Sequence, residues 1–163
     1  DVYENDACRE VLDYVTLDEL LAQSDIVSLH VPYFPGQNDK MANAEFFSKM
    51  KDGAIFLNTA RGELQDNEAI LAALKSGKLD GYGTDVFANE TAFFFKKLGS
   101  AAEISDPTVR ELVQMYPKVL VTPHIGSNTD EALANMIEYS MDNFNEILTT
   151  GTTKNLVALP EAK

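Results

Sequence analysis

Residues 54–79 read AIFLNTARGELQDNEAILAALKSGKL, and three changes of pattern within them set the fold. Ala54-Ile55-Phe56-Leu57 is an unbroken apolar run, short enough for a strand and without the alternation of a sheet that faces water on one side. Asn58-Thr59-Ala60 ends the run, and Arg61-Gly62 follows where the pattern turns polar. Asp66 or Asn67 then caps a helix that places Ile70, Leu71 and Leu74 on one face and stops at Gly77. A buried strand, a charged turn and an amphipathic helix in succession make half of a β-α-β unit.

The same unit recurs on both sides. DIVSLHV (25–31), GYGTDVF (81–87) and KVLVTPH (118–124) are further short apolar segments rich in β-branched residues. Helical patterns separate them. TLDELLAQ (16–23) carries a Thr16 to Glu19 capping box, NAEFFSKM (43–50) follows a turn region with Pro32, Pro35 and Gly36, and Pro107 to Met115 reads as a short helix. The longest helix, near 128–150, spaces Leu133, Met136, Ile137, Met141, Phe144, Ile147 and Leu148 three or four apart and ends at Gly151. Strands alternating with helices predict an α/β fold: an open, doubly wound parallel sheet with right-handed crossovers and strands covered on both faces. Four repeats are too few for an eight-stranded barrel. The segment from Thr91 to Pro117 is long and irregular, and AFFFKKLGS within it is expected to expose its aromatics, as functional loops do.

With 163 residues and 45% hydrophobic content, the chain can build one domain with a real core. Its net charge of −13 argues against binding nucleic acid or an anionic membrane surface through general electrostatics, which leaves small molecules or protein as partners. The single cysteine, Cys8, has no intramolecular disulfide partner and no metal-ligand spacing around it, so a reducing compartment, the cytoplasm, is expected. No apolar run long enough to span a membrane and no signal-peptide pattern is present.

Ligands of open parallel sheets bind beyond the carboxyl ends of the strands. Those ends hold His30-Val31-Pro32, Thr59-Ala60-Arg61-Gly62, Asp85 with Glu90 beyond it, and Pro123-His124. Arg61 offers a planar fork that can hold a carboxylate bidentately; its other reading is a helix-flanking arginine paired to Glu63 or Asp66. Histidine exchanges protons near neutrality, which suits His124 to acid/base work, though a lone histidine also serves cores. Glu90 can hydrogen-bond to His124 and favour its charged form, or be an ordinary loop glutamate. Asp85, ending a buried strand, needs a partner. His30 reads as a core residue with its ring bonded to backbone, and Gly62 and Gly126 as turn glycines. Neither a Ser-His-Asp order nor a metal-binding spacing occurs.

Taken in order, SDIVSLHVP, MKDGAIFLNTARGE, LKSGKLDGYGTDVFANE and VLVTPHIGSNTDEA resemble the signature blocks of the NAD-dependent D-2-hydroxyacid dehydrogenases, from residue 1 to about 155. The resemblance implies that Arg61 holds the carboxylate of a 2-oxo acid, that Glu90 is its acidic partner residue and that His124 is the acid/base histidine. It implies that Val31 and Pro32 line NAD, that Thr59 and Ala60 run beside the nicotinamide ribose, that Arg61 is also cofactor-binding, that Asp85 binds the carboxamide, and that Asp1 holds the adenosine ribose. The implied reaction reduces 2-oxo acids to D-2-hydroxy acids with NADH, in a homodimer joined through cofactor domains. A non-catalytic dinucleotide sensor of the same fold is the other class the resemblance admits.

The family's G-x-G-x-x-G turn occurs nowhere in the chain. Residues 1–150 are therefore expected to be part of a dinucleotide-binding domain, with its first strand and Gly-rich loop preceding residue 1, and 151–163 a tail returning to a substrate domain. Such a fragment is expected to bind NAD weakly and to turn nothing over alone. HIGSNT resembles the glyoxylate and phosphoglycerate branch, whereas AFFFKK and DPTVRELVQMYPKV resemble the D-lactate and hydroxyisocaproate branch, so the resemblance does not name the acid.

Overall fold

Parallel strands that pair in chain order through right-handed crossovers leave all their connecting helices on one face of the sheet. Residues 4–157, those described in the computed structural model, follow this rule. The strands are β1 (Ile26–Leu29), β2 (Ala54–Asn58), β3 (Leu79–Thr84) and β4 (Val119–Val121), all parallel in the order β1-β2-β3-β4. Helices α1 (Leu17–Gln23), α2 (Ala44–Lys49), α3 (Asn67–Ser76) and α4 (Pro107–Gln114) form a row in which each touches the next.

The helix ends are where the sequence places them. Thr16 and Glu19 form the reciprocal capping box of α1, Asn43 caps α2, and the Asp66 carboxylate accepts from Glu68 and Ala69 N–H at the start of α3. Gly77 takes the left-handed φ of 80° that ends α3.

Beneath this row lies the core. Phe46, Phe47 and Phe56 meet edge to face, and Phe56 stacks on Tyr82 with rings 5.9 Å apart. The expectation of strands covered on both faces is not met among the described residues. Val27, Leu29, Phe56, Tyr82 and Val119 are buried, but Ile26, Ile55 and Leu120 on the opposite face are exposed. In-order crossovers supply helices to one face only, which is the physical reason.

The loop after β3 also differs from expectation. Phe93 and Phe94 are buried, packed with Phe87 in an aromatic cluster, and of the three only Phe95 is exposed. Two of the three rings thus pin the loop to the core.

Contacts divide the chain into two compact units, residues 1–124, which contain the whole sheet, and residues 125–163. The second holds α5 (Asp130–Thr150), capped by Thr129 and ended by Gly151 at φ 79°. No helix among the described residues is long and apolar enough to cross a membrane.

Candidate active site

The carboxyl end of β2 is organised by a buried amide. Asn58 is fully buried. Its Oδ1 accepts the Ala60 N–H at 3.0 Å, and its Nδ2 donates to the Arg61 carbonyl at 2.9 Å and to Gln65 Oε1 at 2.8 Å. Tyr82 Oη donates to the same Gln65 oxygen at 2.8 Å, and burial pushes the Tyr82 phenol pKa up. The Asn58 carbonyl accepts the Asp85 N–H at 3.1 Å, which ties the β2 turn to the end of β3. No buried side-chain polar atom among the described residues lacks a partner. Sequence reasoning missed Asn58, Gln65 and Tyr82; the available signal was a full amide at the end of an otherwise apolar run.

Arg61 leaves this turn into solvent. Its Nη1 donates to the Ala60 carbonyl at 2.7 Å. Pairing to Glu63 or Asp66 does not form: Asp66 is bonded instead to Lys40 Nζ at 3.2 Å, and Arg61 has no ion-pair partner among the described residues. The guanidinium therefore keeps its outward fork free. Gly62 is a contact glycine and not the turn glycine expected, because a Cβ there would lie 2.0 Å from the backbone of Phe87 and of Ala88. The Arg61 turn and the loop beyond β3 touch main chain to main chain.

That second loop carries Glu90, which meets His124 from beyond the end of β4. Thr122 Oγ1 donates to the buried carboxylate of Asp85 at 2.5 Å. Asn89 adopts φ 56°, a left-handed value that asparagine tolerates, and turns the chain into Glu90. Glu90 Oε2 accepts the Phe87 N–H at 3.0 Å, and its Oε1 meets His124 Nδ1. His124 itself sits at φ 51°, a left-handed conformation that costs a non-glycine residue free energy and recurs at functional sites. An ionised carboxylate only accepts, so Nδ1 carries the hydrogen and Nε2 is the nitrogen left to exchange a proton.

Two cavities open here and share Arg61. One of about 500 Å³ is lined by His30, Val31, Pro32, Tyr33, Thr59, Ala60 and Arg61. The other, of about 320 Å³, is lined by Arg61, Glu63, Phe87, Glu90, Thr91 and His124 among others. The predicted cofactor-lining residues Val31, Pro32, Thr59 and Ala60 thus share one wall, and Glu90 and His124 share the other. Asp85 lines neither, and Asp1 lies outside the described residues. His30 is corrected: it is exposed, its ring bonded to Ser28 Oγ at 2.9 Å, because it continues the face of β1 that holds the exposed Ile26 and Ser28. Among the described residues no group of three or more His, Cys, Asp or Glu side chains could hold a metal.

Residues 1–126 match the family described as D-isomer specific 2-hydroxyacid dehydrogenase, NAD binding domain. The chain belongs to that family. It is 39% identical over 155 residues to an aromatic 2-oxoacid reductase of Clostridium sporogenes, covering 95% of this chain and 46% of that protein. It is 43% identical over 152 residues to a D-lactate dehydrogenase of Lactiplantibacillus plantarum, covering 93% and 45%. The solved structure of a D-lactate dehydrogenase from Sporolactobacillus sp matches with a TM-score of 0.88 at 34% identity, over 97% of this chain and 48% of that one. The chain spans about half the length of these relatives.

The larger cavity fits one end of the cofactor of this dehydrogenase family. Val31, Pro32 and Ala60 offer an apolar wall for a flat ring, and Thr59 sets a hydroxyl-bearing residue beside it for a sugar.

Proposed function

We propose that this chain is the carboxyl-terminal part of the cofactor domain of a dehydrogenase that reduces 2-oxo acids to D-2-hydroxy acids. The observation that carries the proposal is the shared position of Arg61, which lines both the cavity suited to NAD and the one lined by Glu90 and His124. Bound NADH supplies a hydride to the carbonyl carbon. Arg61 holds the substrate carboxylate with its free fork and orients the carbonyl toward the cofactor wall. His124 delivers a proton from Nε2 to the alkoxide oxygen as charge develops there. Glu90 fixes the tautomer through Nδ1 and stabilises the imidazolium before the transfer.

Val31, Pro32, Thr59 and Ala60 line the nicotinamide end in this reading, Asp85 binds the carboxamide, and Asp1 binds the adenosine ribose. Residues 1–150 belong to the dinucleotide-binding domain and 151–163 return toward a substrate domain. The whole protein acts as a cytoplasmic homodimer on a small acid.

The test compares a full-length protein carrying this chain with the isolated 163 residues. The full-length protein oxidises NADH with at least one member of a 2-oxo acid panel, and His124→Asn lowers kcat by about 100-fold or more. The isolated chain, without a Gly-rich phosphate turn, shows no turnover and no micromolar NADH binding by calorimetry. Tight NADH binding by the full-length protein with no turnover on any 2-oxo acid, or an unimpaired His124→Asn, would contradict the proposal.

A further inference from the structure

We infer that Asn58 is a positioning residue for Arg61, acting through the buried relay Asn58–Gln65–Tyr82. This rests on the reading of Arg61 as the carboxylate anchor. The guanidinium is exposed and among the described residues its one bond is to the carbonyl of the preceding residue, so its own packing does not set its direction. Direction must then come from the backbone. Both sides of that backbone are held by one side chain, since Asn58 takes the Ala60 N–H at 3.0 Å and gives to the Arg61 carbonyl at 2.9 Å.

A strand end does not need a buried amide. Burying one costs several kcal/mol unless every donor and acceptor is matched. Here they are matched: the second Nδ2 hydrogen goes to Gln65 Oε1, itself held by Tyr82 Oη from the neighbouring strand. The Asn58 carbonyl meanwhile holds the Asp85 N–H, so the residue that aims Arg61 also sets its height against the loop bearing Glu90. The network is buried and its members are bonded to one another, which is the support a bidentate anchor requires.

The test has two arms and one control. The control is Ile70→Ala, a buried residue of α3 that lines neither cavity and whose one backbone bond from N–H goes to the Asp66 carbonyl, outside the relay. In the full-length protein, hydrogen exchange is read amide by amide. Losing the bonds of Asn58 in Asn58→Ala speeds exchange at residues 60–64 by about ten-fold beyond the change at Phe56 and Tyr82. Ile70→Ala speeds exchange at all of these amides alike. Asn58→Ser, which keeps a small polar group in the buried site, gives the same local pattern and decides the matter if the alanine variant does not fold.

In the full-length protein, Asn58→Ala raises KM for the 2-oxo acid about ten-fold and KM for NADH by much less, while the pH profile of kcat stays put. A uniform rise in exchange, or equal changes in both KM values, overturns the inference. If the unsubstituted full-length protein reduces no 2-oxo acid, the proposed function falls and the exchange arm still decides whether Asn58 positions Arg61.

Discussion

The carboxyl ends of β2 and β4 each present one candidate functional side chain, and they are built in opposite ways. Behind Arg61 stands a buried and fully bonded layer of Asn58, Gln65 and Tyr82, with Gly62 pressed against the backbone of the next loop. Behind His124 stands little: the residue is exposed, its backbone holds φ 51°, and Glu90 is the partner of its ring. The difference suits the two tasks proposed for them. A fork that must meet a carboxylate in one plane gains from a stiff base, whereas a proton carrier needs reach and the right tautomer.

Substitutions at the two ends should therefore change stability in opposite directions. The largest effect belongs to Gly62→Ala, because the added Cβ would meet main chain that cannot turn aside. A loss of about 3 kcal/mol or more is expected, seen as a lower denaturant midpoint. A loss below about 1 kcal/mol would mean that the two loops are not in contact.

Next comes the alkaline limb of stability. Burial holds the Tyr82 pKa above that of an unfolded tyrosine, so the folded state keeps a proton that the unfolded state releases. Its contribution is complete below about pH 10 and is lost above it, at up to about 1.4 kcal/mol per pH unit. Tyr82→Phe should flatten that limb in pH-dependent denaturation, and an unchanged slope would show that the phenol is not desolvated.

The smallest effect is at the other end. His124→Gly removes the cost of a left-handed residue and an exposed ion pair worth little, so stability should hold or rise by up to about 1 kcal/mol. Activity of the full-length protein should be lost in the same variant. A marked fall in stability would show that His124 is structural.

Much of the fold is legible in the residues, because local physics decides it. The apolar run Ala54 to Leu57, the Thr16–Glu19 box, the Asp66 cap and the Gly77 stop each depend on neighbours in the chain. What is not legible depends on residues far apart. Ile26, Ile55 and Leu120 look the same in sequence whether one face of a sheet is covered or two, and only strand order shows which side the helices take. Phe93, Phe94 and Phe95 are alike as letters, yet two rings turn inward on Phe87.

The site follows the same division. Arg61, Glu90 and His124 are placed by motif, but nothing local shows that the Asn58 amide would bind Gln65 and Tyr82, or that Gly62 would lie on the backbone of Phe87. His30 is misread for a related reason: it shares the face of Ile26 and Ser28, which is exposed.

The account turns on Arg61 as the group that holds the substrate carboxylate. Steady-state kinetics of Arg61→Lys in the full-length protein test it most directly, since lysine keeps the charge and loses the planar fork. The expected result is a rise of about ten-fold or more in KM for the 2-oxo acid with KM for NADH unchanged. An unchanged KM for the 2-oxo acid would contradict it.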